Sequence, residues 1–287
     1  MFNKRHIVRT IAATVSILAL SFTAACGSGQ STASNSTDSD DITQQTYKPG
    51  KLTIATGQPA YEPWVMNDKP ESGEGYEAAV AYAVADKLGF KKSDVVWTRT
   101  AFDTAIAPGA KDWDFNIQQF GITDERKKAV DFSSSYYNDS QSVVVKKDSK
   151  FANVTKVSDL KNATVGVMVG TLAYDYAKAN IKDDIQTFND DAALAQALDA
   201  GQIDALVTST VECVYMVQSE QVKDAKVLGR LPDSEDKSGM GIVLPKDSKL
   251  TAAVTKAVND LNADGTIKKL QDKWLAEYTT DLTELKK

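Results

Sequence analysis

The segment QSVVVKK, Gln141–Lys147, decides how the chain folds. Its β-branched centre reads as a strand, yet no helix follows it before the next polar loop. On its N-terminal side the chain alternates. KLTIATG (51–57) is a strand ending in glycine, and YEAAVAYAVADKLGF (76–90) is an alanine-rich helix with Gly89 as its stop. VVWTRT (95–100) is a strand, FDTAI a short helix ended by Pro108-Gly109, and DFNIQQFGI (114–122) a strand and loop. On its C-terminal side the alternation restarts. ATVGVMVG (163–170), IQTF (185–188), IDALVT (203–208) and AKVLGRL (225–231) read as strands. TLAYDYAKAN, DDAALAQALDAG and VECVYMVQSE read as the helices between them. A second lone strand, GMGIVLPK (239–246), follows, and two helices joined at Asp264-Gly265 close the pattern.

Strands alternating with helices predict α/β architecture, each unit a mostly parallel sheet flanked by helices. One such unit sits inside another, and the lone strands near 142–147 and 239–244 mark the two crossings as hinge strands. The expected division is lobe 1 at 50–143 plus 241–287 and lobe 2 at 144–240. Ligands of open α/β sheets bind beyond the carboxyl ends of strands, so both lobes are expected to face one cleft.

The first fifty residues have another character. Lys4, Arg5 and Arg9 precede an apolar run, Ile11–Phe22, that is short for a membrane span. Thr23-Ala24-Ala25 then leads to Cys26, which is export-signal anatomy over residues 1–25. The pattern resembles a bacterial lipoprotein signal, which implies lipidation of Cys26 and a tether to the outer face of the cell membrane. Thr23 departs from the aliphatic residue usual at that position. Residues 26–49 are rich in Ser, Thr, Asp and Gly and read as a flexible stalk.

Loss of residues 1–25 removes Lys4, Arg5 and Arg9 and moves the formal charge of the 287-residue chain from −6 to −9. An acidic exported chain is ill suited to nucleic acid, whose phosphates need lysine and arginine patches. The single histidine, His6, leaves with the signal, and Cys213 is the one cysteine besides Cys26. A Cys/His zinc site and a histidine-dependent hydrolase are therefore excluded, and no metal or cofactor is expected. Cys213 reads as a small buried helix residue.

GITDERKKAVDFSSSYY, Gly121–Tyr137, places Arg126 within a turn of an expected helix start, where the macrodipole favours anions over cations. An anion from outside the chain would explain it. This stretch resembles the solute-binding lipoproteins of polar amino-acid ABC importers, bacterial extracellular solute-binding protein family 3. The pieces that match are Ile122–Lys128 with Val130–Ser133 and Tyr136-Tyr137, Gly75-Tyr76-Glu77, Val165-Gly166-Val167 with Gly170-Thr171, Gly201–Ala205, Gly241–Val243, and Ala263–Thr266 with Trp274.

The resemblance implies a two-lobe periplasmic-binding-protein-like fold. It also implies capture of a small polar amino acid or derivative, delivery to an ABC permease and ATPase, monomeric action and no catalysis. It implies that Arg126 clamps the ligand's α-carboxylate, with Thr123 as N-cap and Gly121 offering its backbone N–H. Gly170 and Thr171 are expected to donate from lobe 2, although Leu172 stands where a second hydroxyl is usual. Tyr61 and Phe102 match aromatic walls, Trp64 lies near them, and Glu77 matches an acid that can reach cationic side chains or simply serve a helix start. Ser209 stands where the family has the aspartate that pairs with the α-ammonium, and Glu212, one turn on, is the candidate substitute. Gln118 and Gln119 replace small or hydroxyl residues and suggest a ligand held partly by amides. Two rival readings stay open: a same-fold, dehydratase-like enzyme using Glu77, Glu212, Asp103 or a lysine, and a sensor or adhesin module.

Overall fold

The computed structural model describes residues 41–279 and 282–287. The signal, Cys26 and most of the stalk lie outside the described residues. In lobe 1 the elements are β1 (Leu52–Thr56), α1 (Tyr76–Lys87), β2 (Val95–Arg99), α2 (Phe102–Ile106), β3 (Phe115–Asn116) and β4 (Val130–Tyr137). Lobe 2 follows with β5 (Gln141–Lys146), β6 (Val165–Met168), α3 (Leu172–Asn180), β7 (Gln186–Phe188), α4 (Asp191–Asp199), β8 (Ala205–Ser209), α5 (Thr210–Gln218) and β9 (Ala225–Arg230). The chain then returns through β10 (Met240–Pro245), α6 (Thr251–Ala263) and α7 (Thr266–Trp274).

Two five-stranded sheets result, ordered β2-β1-β3-β10-β4 and β7-β6-β8-β5-β9. The expected α/β two-lobe class holds, but each sheet is mixed rather than mostly parallel. In lobe 1, β2, β1 and β3 run parallel, and β10 is antiparallel to both β3 and β4. In lobe 2, β7, β6 and β8 run parallel, and β5 is antiparallel to β8 and β9. Strands linked by helical crossovers are parallel; β5 and β10, the strands that follow the lobe crossings, run against the rest because no helix turns the chain back before them.

The presumed hinge strands are sheet members. β5 pairs with β8 from Gln141↔Ser209 onward, and Val143–Val145 are fully buried between two neighbours. The crossings are the irregular segments 138–140 and 231–239, so the first lobe boundary falls a few residues earlier than expected. The C-terminal tail, expected in lobe 1, adds to lobe 2 instead. Glu284 and Lys286 bridge in parallel to Arg230 and Lys156, and Leu285 is buried in the lobe 2 core. The edge groups of β9 account for this: the Arg230 N–H and C=O pair with the Thr283 C=O and the Leu285 N–H.

Local chemistry explains the elements that carry the cleft. α1 buries Tyr76, Glu77, Val80, Ala81 and Val84, a helical spacing whose small residues allow close approach to the sheet. Gly75 starts it at φ 101°, where a side chain would run into the Trp64 backbone. The expected helix after Thr123 is only a short 3-10 turn, Arg126–Lys128, because the chain immediately becomes β4. β4 escapes the pattern of the sequence because its centre is Ser133-Ser134-Ser135. Among the described residues no helix is long and apolar enough to cross a membrane.

Candidate functional site in the interlobe cleft

The carboxyl ends of β6, β7 and β8 each run into a capped helix facing lobe 1. Thr171 caps α3, its hydroxyl accepting the Tyr174 N–H at 3.2 Å. Asp190 caps α4, accepting the Ala193 N–H at 2.8 Å. Ser209 caps α5, accepting the Glu212 N–H at 3.3 Å. These strand ends and the facing loops of lobe 1 enclose a cavity of about 230 Å³.

On the lobe 1 side the Phe102 and Phe120 rings lie 4.7 Å apart, and the Arg126 guanidinium sits 5.5 Å from the Phe102 ring centre. The Arg126 backbone N–H donates to Thr123 Oγ1 at 3.1 Å, which fixes the short turn. Its Nη1 donates to the Gly121 carbonyl at 2.6 Å and its Nη2 to the Gly170 carbonyl of lobe 2 at 2.8 Å. Two of the five guanidinium donors are thus used on backbone, and among the described residues no carboxylate lies within ion-pair distance of Arg126. Burial lowers its pKa, with Asp175 and Asp236 opposing.

Of the residues expected at the site, Tyr61, Phe102, Gln118, Gln119, Gly121, Arg126, Thr171, Ser209 and Glu212 line this cavity. Thr123 and Gly170 stand behind it as supports of Arg126. Trp64 and Glu77 do not reach it. Trp64 is 0% exposed, packed against Tyr76 and Tyr137 in the lobe 1 core, because its indole fills space that no smaller side chain would. Its Nε1–H donates across the lobes to Glu212 Oε1 at 2.6 Å. Glu77 points into lobe 1, accepting from the Tyr136 hydroxyl and from the Gln119 side chain, and from the Gln119 N–H at 2.7 Å. Burial pushes its carboxyl up to about 7 against those hydrogen bonds. It acts on the site through Gln119, whose backbone it holds at φ 49°.

The sequence reading missed several acids. Asp190 and Asp191 line the cavity, and Asp139 and Asp236 reach it from the two crossings. The first pair stands where β7 enters α4, as Thr171 and Ser209 stand where β6 and β8 enter their helices, and in the sequence it reads only as a helix start. The second pair lies in irregular segments with no periodicity to read. Burial raises Asp191 to about 6, with Asp190 adding to the shift and the Thr208 hydroxyl opposing it. Glu212 is 4% exposed and pushed well above the carboxylate range, first by burial and then by Asp191. Further hydrogen bonds join the lobes besides Trp64–Glu212, among them Gln218 Nε2 to the Glu277 carbonyl at 3.2 Å and three beside the cleft. The three are Arg126–Gly170, the Ala192 N–H to Tyr61 Oη at 3.4 Å, and Tyr215 Oη to Glu62 Oε2 at 3.1 Å. Among the described residues no group of acids, cysteines or histidines is placed to hold a metal.

A two-lobe α/β fold with a polar cleft and a free guanidinium is the build of a solute receptor. The chain belongs to the bacterial extracellular solute-binding proteins, family 3, whose model matches residues 52–277. It is 29% identical to the L-cystine-binding protein TcyJ of Escherichia coli (strain K12) over 223 residues, 77% of this chain and 81% of that protein. It is 29% identical to the L-arginine-binding protein of Pseudomonas aeruginosa over 245 residues, 80% and 88% of the two chains. Among solved structures, an ancestral arginine-binding protein bound to arginine superposes with a TM-score of 0.67 at 31% identity, covering 78% of this chain and 98% of that one. These relatives are amino-acid-binding proteins rather than enzymes, and the family is extracellular.

Proposed function

We propose that this chain captures one amino acid between its lobes through an Arg126–α-carboxylate pair and presents it to an ABC permease. The observation that supports the reading is the Arg126 guanidinium, which lines the cavity with donors to spare and no acid within ion-pair distance among the described residues. A planar fork facing a closed cleft suits a carboxylate. In this reading Glu212 takes the place of the aspartate absent at Ser209 and accepts the α-ammonium. Phe102 and Tyr61 wall the side chain, and Gln118 and Thr171 line the remaining surface.

The cavity, about 230 Å³, lies below the roughly 300–1,000 Å³ of drug-sized sites, which suits a single amino acid. Contacts from both lobes favour the closed form, the state a permease could distinguish. Micromolar capture needs about 8 kcal/mol net. The proposal includes a lipid tether at Cys26 and monomeric action. A thermal-shift screen of the twenty amino acids tests it: at least one raises the melting temperature, and Arg126→Ala abolishes that rise while keeping the ligand-free melting temperature. A rise that survives the substitution refutes the clamp.

A further inference from the structure

We infer that the cargo is an amino acid with a second cationic group, of the arginine or lysine kind, and that Asp191 receives that group while Glu212 receives the α-ammonium. The inference rests on the receptor reading above and adds its ligand class. Hydrogen-bonding capacity comes first. Among the described residues, Gln118 Oε1 and Asp236 Oδ2 are cavity-lining side-chain atoms that are buried without a partner. Both are acceptors. Buried acceptors need donors, so the complementary guest is rich in N–H groups away from its carboxylate.

Charge narrows the class further. Five carboxylates line the cavity against the one guanidinium of Arg126. Three of the five have local compensation. Asp190 accepts the Ala193 N–H, and Asp139 accepts the Ser140 N–H beside the start of α5. Asp236 accepts the Ser238 and Gly239 N–H groups and feels Arg126. Asp191 and Glu212 remain, with one side-chain donor each: the Thr208 hydroxyl at 3.3 Å and the Trp64 indole at 2.6 Å. The α4 and α5 N-termini offset part of this, roughly half a charge each at most. A single α-ammonium answers one of the two acids and leaves the other in a desolvated site without a counter-charge.

The geometry of Glu212 supports a ligand-facing role. Ser209 and Glu212 have capping-box spacing, in which the glutamate ordinarily folds back on the cap residue's own N–H. Here the side chain instead reaches across to Trp64, while Ser209 alone performs the capping. One carboxylate oxygen is thereby fixed by the opposite lobe, and the residue still lines the cavity. Burial disfavours the charged form of both acids, Asp191 adds to that effect on Glu212, and two arriving cations oppose it.

The test is calorimetric titration of the full chain with L-arginine and L-lysine against their neutral counterparts L-citrulline and L-norleucine, and with L-glutamine. Arginine or lysine binds at least about tenfold tighter than its counterpart, the effect of one desolvated charge pair. Asp191→Asn collapses that ratio toward one while dependence on Arg126 persists, and Glu212→Gln weakens every amino acid tested. Glutamine or citrulline binding as tightly as arginine and lysine overturns the inference, as does a ratio unchanged in Asp191→Asn. If neutral amino acids bind in an Arg126-dependent way, the receptor reading stands and only the ligand class falls. If no amino acid binds, both fall. The wild-type arginine-to-citrulline ratio decides the matter even where a variant is too unstable to purify.

Discussion

Trp64→Phe separates packing from ligand control at the buried indole. Trp64 is 0% exposed, and its Nε1–H donates at 2.6 Å to Glu212, which belongs to the other lobe. Phenylalanine keeps an aromatic ring beside Tyr76 and Tyr137 but removes the donor. With the ligand's ammonium on Glu212 the acceptor is charged, and a hydrogen bond to a charged group contributes about 1.5–3 kcal/mol. Because this bond spans the cleft, it strengthens the closed form, so its loss appears in affinity. At about 1.4 kcal/mol per decade, ligand binding weakens about 10- to 100-fold. The smaller ring also leaves a void, and the ligand-free protein loses on the order of 2 kcal/mol of stability.

A double-mutant cycle with Glu212→Gln, read by calorimetry, isolates the pair. The glutamine carbonyl still accepts from the indole, so the cycle reports what the charge adds. Trp64→Phe with wild-type affinity and only a lower melting temperature would show that the indole merely fills the core.

Other residues give equally direct outcomes. A Cβ at Gly121 would lie 2.5 Å from Leu172 Cδ1 and 2.8 Å from Asp236 Oδ2, so Gly121→Ala displaces these two cavity-lining side chains. Ligand affinity falls at least about tenfold with little change in ligand-free melting; equal losses in both would place the strain within lobe 1 instead. Glu77 titrates at about 7 in the folded protein, above its ordinary 4.5, so the folded state keeps a proton that the unfolded chain loses. Stability therefore falls as pH rises from about 4.5 to about 7, by on the order of 3 kcal/mol from this group. Asp139 and Asp191, each raised to about 6, steepen the lower part of that window. Urea unfolding at pH 5 and pH 7.5 measures the difference, and Glu77→Gln flattens it; greater stability at pH 7.5 contradicts the buried-acid account.

The lobes were legible in the sequence because their strands are β-branched runs and their helices end in glycine. Gly89, Gly201 and Gly265 all adopt the positive φ that their stop positions require. β4 was hidden because its central serines satisfy no apolar alternation, although Ser133 Oγ accepts the Ile242 N–H and ties β4 to β10. Arg126 stood out through its family motif, and its setting against Phe102 and two carbonyls follows from tertiary structure. Trp64 and Glu77 show the limit of residue-type reasoning. An aromatic and an acid near a helix start can face cleft or core, and the packing of Tyr76, Tyr136 and Tyr137 decides for the core. Asp190 and Asp191 were visible only as a helix start, because a cap and a ligand-facing acid share one sequence signature.

The most direct measurement of the carboxylate clamp compares the bound amino acid with its methyl ester, in wild type and in Arg126→Ala. Wild type should prefer the free acid by about 100-fold or more, as a desolvated guanidinium–carboxylate pair demands, and the variant should show no preference. Undiminished preference for the free acid in Arg126→Ala would mean that another group holds the carboxylate.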